Sequence, residues 1–266
     1  MDDFNLNKNN ILITGGGGFL AKSFIEKIIL SNGLPILIDF DINKLKVTQK
    51  YFEKKFQFKL PIYLADLSKE SQVCKLFMKL NKDYESLDVL INNAAPNPTF
   101  DEVKKSNFDF YNFSLKAWKR DIDAGLTSAF LCSKYYSMLE NKKQRVVINI
   151  SSDLGIIAPN QSIYKSKNSI SYKPISYSVM KHGIIGLTKY CSTFWIDKRI
   201  RCNAVAFGGV ENKQPKHFIN KVKKLIPMGR LAKKDEYGST IVYLASNASS
   251  YMNGSVVVVD GGRTVW

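Results

Sequence analysis

Short runs of valine, isoleucine and leucine alternate with helix-length segments from one end of the chain to the other. Ile11, Leu12 and Ile13 read as a buried strand. Gly18 to Leu30 follows with Phe19, Leu20, Phe24, Ile25, Ile28 and Ile29 at helical spacing, and Gly33 ends it. Pro35 to Ile38 makes a second strand, and Lys44 to Phe56 a helix with a lysine-rich outer face. Further strands are expected at 61–65, 87–91, 146–150, 200–205 and 255–259, with helices near 69–81, 115–140, 175–197 and 235–246. Continuous apolar runs bounded by turns are the mark of strands buried on both faces. Alternation of this kind implies an α/β fold with a seven-stranded, parallel, doubly wound sheet and right-handed crossovers. A length of 266 residues suits one such domain over 1–266, and no internal repeat or linker divides it.

Three segments break the rhythm: 95–114, 153–173 and 208–228. Each leaves the carboxyl end of a strand, where open α/β sheets bind ligands. Their aromatic residues, among them Tyr164 and Tyr172, argue against disorder. Composition narrows the classes of partner. The formal charge of +16 comes almost wholly from lysines spread along the chain, with no arginine cluster and no nucleic-acid-binding signature. Nucleic acid is therefore not expected as a partner. No apolar run is long enough to span a membrane, and the polar N-terminus lacks a signal-peptide core. The four cysteines stand singly with two histidines to help them, so no metal site and a reduced cytoplasmic location are expected.

The chemistry-bearing residues lie at strand ends. Thr14 to Ala21 is a glycine loop between the first strand and first helix, with Gly15, Gly18, Phe19 and Leu20 placed to meet a dinucleotide pyrophosphate at a helix N-terminus. Asp39 ends the second strand, where a carboxylate accepts from ribose hydroxyls and repels a 2′-phosphate, which favours NAD over NADP. Lys44 and Lys46 leave NADP open, and Asp41 is an alternative to Asp39. Tyr177 and Lys181 are four apart in a helical segment and so share a face. A phenol with a pKa near 10 is about 0.1% ionised at pH 7. A neighbouring ammonium favours the phenolate and makes Tyr177 a usable acid–base group.

This constellation, with Ser151 and Ser152 between loop and pair, resembles the short-chain dehydrogenase/reductase family from about Asn10 to the C-terminus. The resemblance implies a Rossmann domain with its glycine loop at 14–21, its catalytic Ser152, Tyr177 and Lys181 within 152–181, and a substrate loop near 208–228. Ser152 would hold the substrate oxygen, Tyr177 move the proton, and Lys181 hold the nicotinamide ribose and tune Tyr177. Asp66 and Leu67 resemble the adenine-contacting pair, although Asp66 or Ser68 could instead cap the next helix. Asn93 and Ala94 resemble the Asn-Asn-Ala-Gly stretch beside the cofactor, and Val210 the residue whose backbone meets the carboxamide.

Three departures stand out. The Ser152-to-Tyr177 interval is longer than usual, and the extra residues around 160–173 are expected to add pocket wall. Within it, Tyr164 and Tyr172 carry Asn168 and Ser176 four places on, so neither competes with Tyr177. Gly125 stands where the family's tetrad Asn belongs, which suggests a weakened proton relay or room for a bulky substrate. Phe207 replaces a proline. The ending from Asp260 to Trp266, the Gly125-to-Phe130 stretch and the Tyr177-to-His182 run resemble the branch linked to surface-polysaccharide and flagellin-glycan sugar biosynthesis. The resemblance implies an NAD(P)-dependent oxidoreductase on a secondary alcohol or ketone, with a small-molecule substrate such as a phosphorylated or nucleotide-linked sugar. Sugar-acid dehydrogenase and 3-oxoacyl-carrier reductase are alternatives, and a nucleotide sensor or scaffold with a degenerate site is the non-enzymatic one. Family pairing of the helices near 115–140 and 175–197, with small residues Ala129, Gly183 and Gly186, implies a homotetramer or homodimer.

Overall fold

The computed structural model describes residues 3–97, 109–140, 143–165 and 171–266. The first and second irregular connections thus lie partly outside the described residues, at 98–108 and 166–170, and Asn168 with them. Seven strands form one parallel sheet: β1 (Asn10–Thr14), β2 (Leu34–Asp39), β3 (Ile62–Leu64), β4 (Val89–Asn92), β5 (Arg145–Ser152), β6 (Ile200–Phe207) and β7 (Val256–Val259). Their spatial order is β3-β2-β1-β4-β5-β6-β7, so the winding reverses between β1 and β4. The central strands are buried on both faces, as their apolar runs require.

The helices among the described residues are α1 (Ala21–Leu30), α2 (Ile42–Phe56), α3 (Glu70–Asp83), α4 (Leu115–Ile122), α5 (Ser128–Met138), α6 (Ile175–Phe194), α7 (Lys216–Val222) and α8 (Gly238–Ala245). One core layer packs α1 and α8 on the sheet through Phe24, Ile25, Ile28, Ile241 and Leu244. The other packs α3, α5 and the far end of α6 through Val73, Phe77, Leu131 and Cys191. On this second face buried amides tie the helices to the sheet. Asn92 Nδ2 donates to Asn149 Oδ1 at 2.7 Å and Ser133 Oγ at 2.9 Å, and Asn149 Nδ2 donates to Thr188 Oγ1 at 2.8 Å. Buried polar groups of this kind stabilise only when paired, and they fix which helix lies over which strand.

The helix expected at 115–140 is broken by one π-helical turn, Asp123–Thr127. The segment 208–228, expected to be irregular, contains α7. Phe218 and Val222 of α7 bury with Ile163, Ile226 and Leu231 in a small third cluster. Tyr164 packs on Phe218 at 5.3 Å between ring centroids, and Lys221 Nζ donates to the Ser162 and Lys165 carbonyls. The described part of the long interval before Tyr177 is therefore wall, built against the long connection after β6. Phe207, in the proline position, stacks on Tyr237 at 4.1 Å and Phe24 at 5.9 Å, and β6 runs on through it.

Candidate active site at the carboxyl edge of the sheet

Three strand ends meet at the reversal of strand order. After β1, Gly15 adopts φ +64°, and a Cβ there would stand 3.0 Å from Ala94 Cα. The turn thus needs glycine both for its backbone and for the close approach of the β4 loop. Thr14 Oγ1 accepts from the N–H groups of Asn93 and Ala94 at 2.9 Å, and Asn93 Nδ2 donates to the Thr14 and Gly15 carbonyls. Asn93 and Ala94 thereby hold the glycine loop as much as they could face a cofactor. α1 begins with no side-chain cap and no acidic residue in its first turn. No side chain competes with an anion for its first N–H groups, although Ser23 N–H donates to the Leu20 carbonyl, and Ala21 is fully buried against the sheet. This bare, glycine-lined helix start fits a dinucleotide pyrophosphate.

Asp39 is 6% exposed, and its two oxygens accept from the Gly17 and Asp41 N–H groups at 3.1 Å. A carboxylate has about four lone-pair sites, so two stay open for ribose hydroxyls. Asp41, the sequence alternative, is committed elsewhere: it caps α2 by accepting from Asn43 and Lys44 N–H. Asp66 caps no helix. It closes a local turn by accepting from both Ser68 groups, while Lys69 occupies the cap position of α3 without a side-chain bond. The Leu67 side chain is buried in the core, which leaves its main chain for any adenine contact. Val210 bridges in parallel to Ala232, and its carbonyl accepts from Gln214 Nε2 at 2.8 Å.

The structure brings Ser152, Tyr177 and Lys181 together. Pro174 sets the start of α6, and Ser178 Oγ ties its first turns to the Leu154 carbonyl after β5. Lys181 is 5% exposed, its Nζ donating to the Ile150 carbonyl at 2.7 Å and lying 5.8 Å from the Tyr177 ring centroid. Ser151, the alternative serine, is turned away from the site: its Oγ donates to the Lys181 main-chain carbonyl at 2.8 Å. Ser152 Oγ donates to Asp153 Oδ1 at 2.7 Å and accepts from Leu154 N–H.

The electrostatics differ from the sequence expectation. Burial pushes the Tyr177 phenol up to about 12, against a hydrogen bond from the Ser152 side that favours the phenolate. Burial pushes Lys181 down to about 7, and the charge of Lys173 adds to that shift. Desolvation therefore outweighs the Ser152 hydrogen bond and keeps Tyr177 protonated.

Gly125 lies in the π-helical turn and is buried, but the space beside it is not pocket. A Cβ there would overlap the sulfur of Met180, which is fully buried and immediately precedes Lys181. The expectation of room for a bulky substrate is corrected: the small-for-large exchange at 125 is filled by Met180. The Gly125 carbonyl accepts from Ser128 Oγ at 3.1 Å. Two residues that the sequence reading did not single out complete the site. Asp153 lies directly after Ser152, and burial raises its carboxyl above the usual range. Lys173 precedes Tyr177 by four, the same interval that separates Tyr177 from Lys181; that repeated spacing was the available signal.

A family model described as enoyl-(acyl carrier protein) reductase matches residues 35–264. The chain belongs to the short-chain dehydrogenase/reductase family, whose members are oxidoreductases that interconvert alcohol and carbonyl groups with a nicotinamide dinucleotide. It is 27% identical over 256 residues to post-translational flagellin modification protein A of Campylobacter coli, covering 95% of this chain and 96% of that one. It is 28% identical over 273 residues to 2-dehydro-3-deoxy-D-gluconate 5-dehydrogenase of Bacillus subtilis, covering 98% and 96%. Its fold matches a gluconate 5-dehydrogenase of Burkholderia cenocepacia solved with NADP and tartrate, at a TM-score of 0.82 and 21% identity over 100% and 98% of the chains.

Proposed function

We propose that this protein is an NAD-dependent dehydrogenase/reductase that interconverts a secondary hydroxyl and a ketone on a sugar or nucleotide-linked sugar used in surface-glycan biosynthesis. The convergence of Ser152, Tyr177 and Lys181 beside the glycine loop carries the reading. When bound, the nicotinamide supplies or accepts the hydride. Ser152 Oγ, placed by the Leu154 N–H, turns its one proton from Asp153 Oδ1 to the substrate oxygen and so fixes the reacting carbon. Tyr177 Oη gives that oxygen a proton in reduction and takes one in oxidation. Its raised pKa keeps the phenol protonated, which is the form that ketone reduction needs. Lys181, anchored on the Ile150 carbonyl, holds the cofactor ribose and offsets negative charge at Tyr177. Gly15, Gly18, Phe19 and Leu20 would hold the pyrophosphate, Asp39 the adenosine ribose, Asp66 and Leu67 the adenine and Val210 the carboxamide, with Asn93 and Ala94 packed beside the cofactor.

Similarity to the flagellin modification protein supports the sugar class, and Asp39 supports NAD over NADP. A cytoplasmic homo-oligomer is the accompanying expectation; among the described residues no helix is long and apolar enough to cross a membrane. NADH absorbance over a panel of sugars and nucleotide sugars, preceded by a thermal-shift screen with NAD present, tests the proposal. A ligand of the native state raises Tm by mass action. Failure of NAD and NADP alike to bind would sink it.

A further inference from the structure

Lys173 stands four residues before Tyr177, in the non-helical segment that leads through Pro174 into α6, as Lys181 stands one helical turn after it. Its ammonium lies 3.7 Å from the centroid of the Tyr177 ring and donates to Asn97 Oδ1 at 3.0 Å. Its main chain is clamped by a single side chain: its N–H donates to Gln161 Oε1 at 2.9 Å, and Gln161 Nε2 donates to its carbonyl at 3.5 Å. This lysine is therefore held in place by the long interval before Tyr177. It is partly buried, and no carboxylate among the described residues lies at ion-pair distance from it.

The surrounding charges do not balance. Lys181 lies on α6 beyond Tyr177, and Arg263, from the C-terminal segment, acts with Lys173 on Asp153. Among the described residues two carboxylates stand against these three cations: Asp153, whose oxygen Oδ1 is already taken by the Ser152 hydroxyl and the Leu154 N–H, and Asp260, whose two oxygens accept from the Gly262 and Thr264 N–H groups. Burial pushes Asp153 up, and so makes it a poorer counter-ion, while burial pushes Lys173 down to about 8. Tyr164 adds only a buried phenol that burial raises far above its ordinary range. Crowded, half-desolvated ammonium groups without a matching carboxylate gain most from a bound anion, which restores the charged form of each. Asn97, a neutral acceptor, gives up its place to one at little cost.

We infer that Lys173 binds an anionic group of the substrate, a carboxylate or a phosphate, and so places the reacting carbon at Tyr177. The inference rests on the dehydrogenase reading above, and it specifies a sugar acid or sugar phosphate in place of a neutral sugar.

Calorimetric titration of the NAD-saturated protein with D-gluconate, D-glucose 6-phosphate and neutral D-sorbitol tests it. Charge-assisted hydrogen bonds of this kind are worth about one to two factors of ten in affinity. One or both acids are expected to bind wild type more tightly than sorbitol, and whichever binds tighter identifies the anion. Lys173→Gln is expected to weaken the bound acid about tenfold or more and to leave sorbitol within about twofold, whereas Lys173→Arg keeps most of the acid affinity. Sorbitol binding as tight as both acids, or acid affinity unmoved in Lys173→Gln, overturns the role. NAD titrated alone tests the underlying reading separately: NAD binding with no acid preference overturns only the inference about Lys173.

Discussion

Tyr177 lies under opposed influences, and the balance among them predicts how single substitutions behave. Burial, with Asp153 adding to it, holds the proton on the phenol, while the Ser152 hydrogen bond draws toward the phenolate. Tyr177→Phe removes the transferable proton and little else. Turnover should fall by about two orders of magnitude or more, with NAD affinity nearly intact. Activity within about tenfold of wild type would remove Tyr177 from the proton-transfer role. Lys181→Ala should weaken both cofactor binding and rate, because one side chain serves both; unchanged cofactor affinity counts against its ribose contact. Asp39 likewise has two duties. Asp39→Ala should narrow the preference for NAD in kcat/KM and also weaken both cofactors, since the Gly17 N–H loses its acceptor. Equal kcat/KM for NAD and NADP in the wild type would show that Lys44 or Lys46 compensates for the carboxylate.

Among the elements, the broken helix α4–α5 shows how a family side chain can be lost without loss of the bend. The π-helical turn remains at Asp123–Thr127, held beside α6 by Met180 in the space above Gly125 and by Ser176 Oγ donating to the buried Asp121 Oδ2 at 2.7 Å. Gly125→Asn should therefore overpack the contact and cost about 1–3 kcal/mol. For a chain of this size each kcal/mol lowers Tm by about 2–4 °C. Adding Met180→Ala should recover much of the loss, and melting curves of the single and double variants decide it: a single variant that melts with wild type refutes the packing. The same helices bear on assembly. Phe130 and Met138 on α5, and Val179, Tyr190 and Phe194 on α6, are exposed, and Tyr190 and Phe194 stack at 5.6 Å. Apolar faces of this kind mark contact surfaces. Of the small residues expected to permit close approach, Ala129 is buried within the chain and Gly183 packs on Leu126, so Gly186 alone opens outward. The wild type should scatter light as a dimer or tetramer at micromolar concentration, and Tyr190→Asp with Phe194→Asp should dissociate it. A monomer peak for the wild type rejects this interface.

On the scale of the whole molecule, a formal charge of +16 must be tolerated by the folded state. Five ion pairs join described residues, and each keeps at least one partner's side chain well exposed, so they offset little of it. Raising ionic strength from about 0.01 M to about 0.15 M shortens the screening length from about 30 Å to about 8 Å. Self-repulsion among the lysines should weaken, and Tm should rise with added sodium chloride at pH 7. A flat or falling Tm would show that the positive charges are already compensated across the surface.

Local pattern determined a great deal here. The order of strands and helices, the glycine loop, Asp39 at the end of β2 and the four-residue spacing of Tyr177 and Lys181 are all written in short stretches, because burial on both faces, backbone freedom and helical periodicity act over a few residues. Other features exist only where distant segments meet. Met180 fills the space above Gly125 across two helices, Gln161 and Asn97 place Lys173 over the Tyr177 ring, and Asp39 spends one oxygen on Gly17 of the loop that it faces. Burial, with Asp153 beside it, holds Tyr177 as a phenol against the expected pull toward phenolate. Desolvation depends on everything packed around a group, and that is settled by the tertiary structure and by no spacing within the chain.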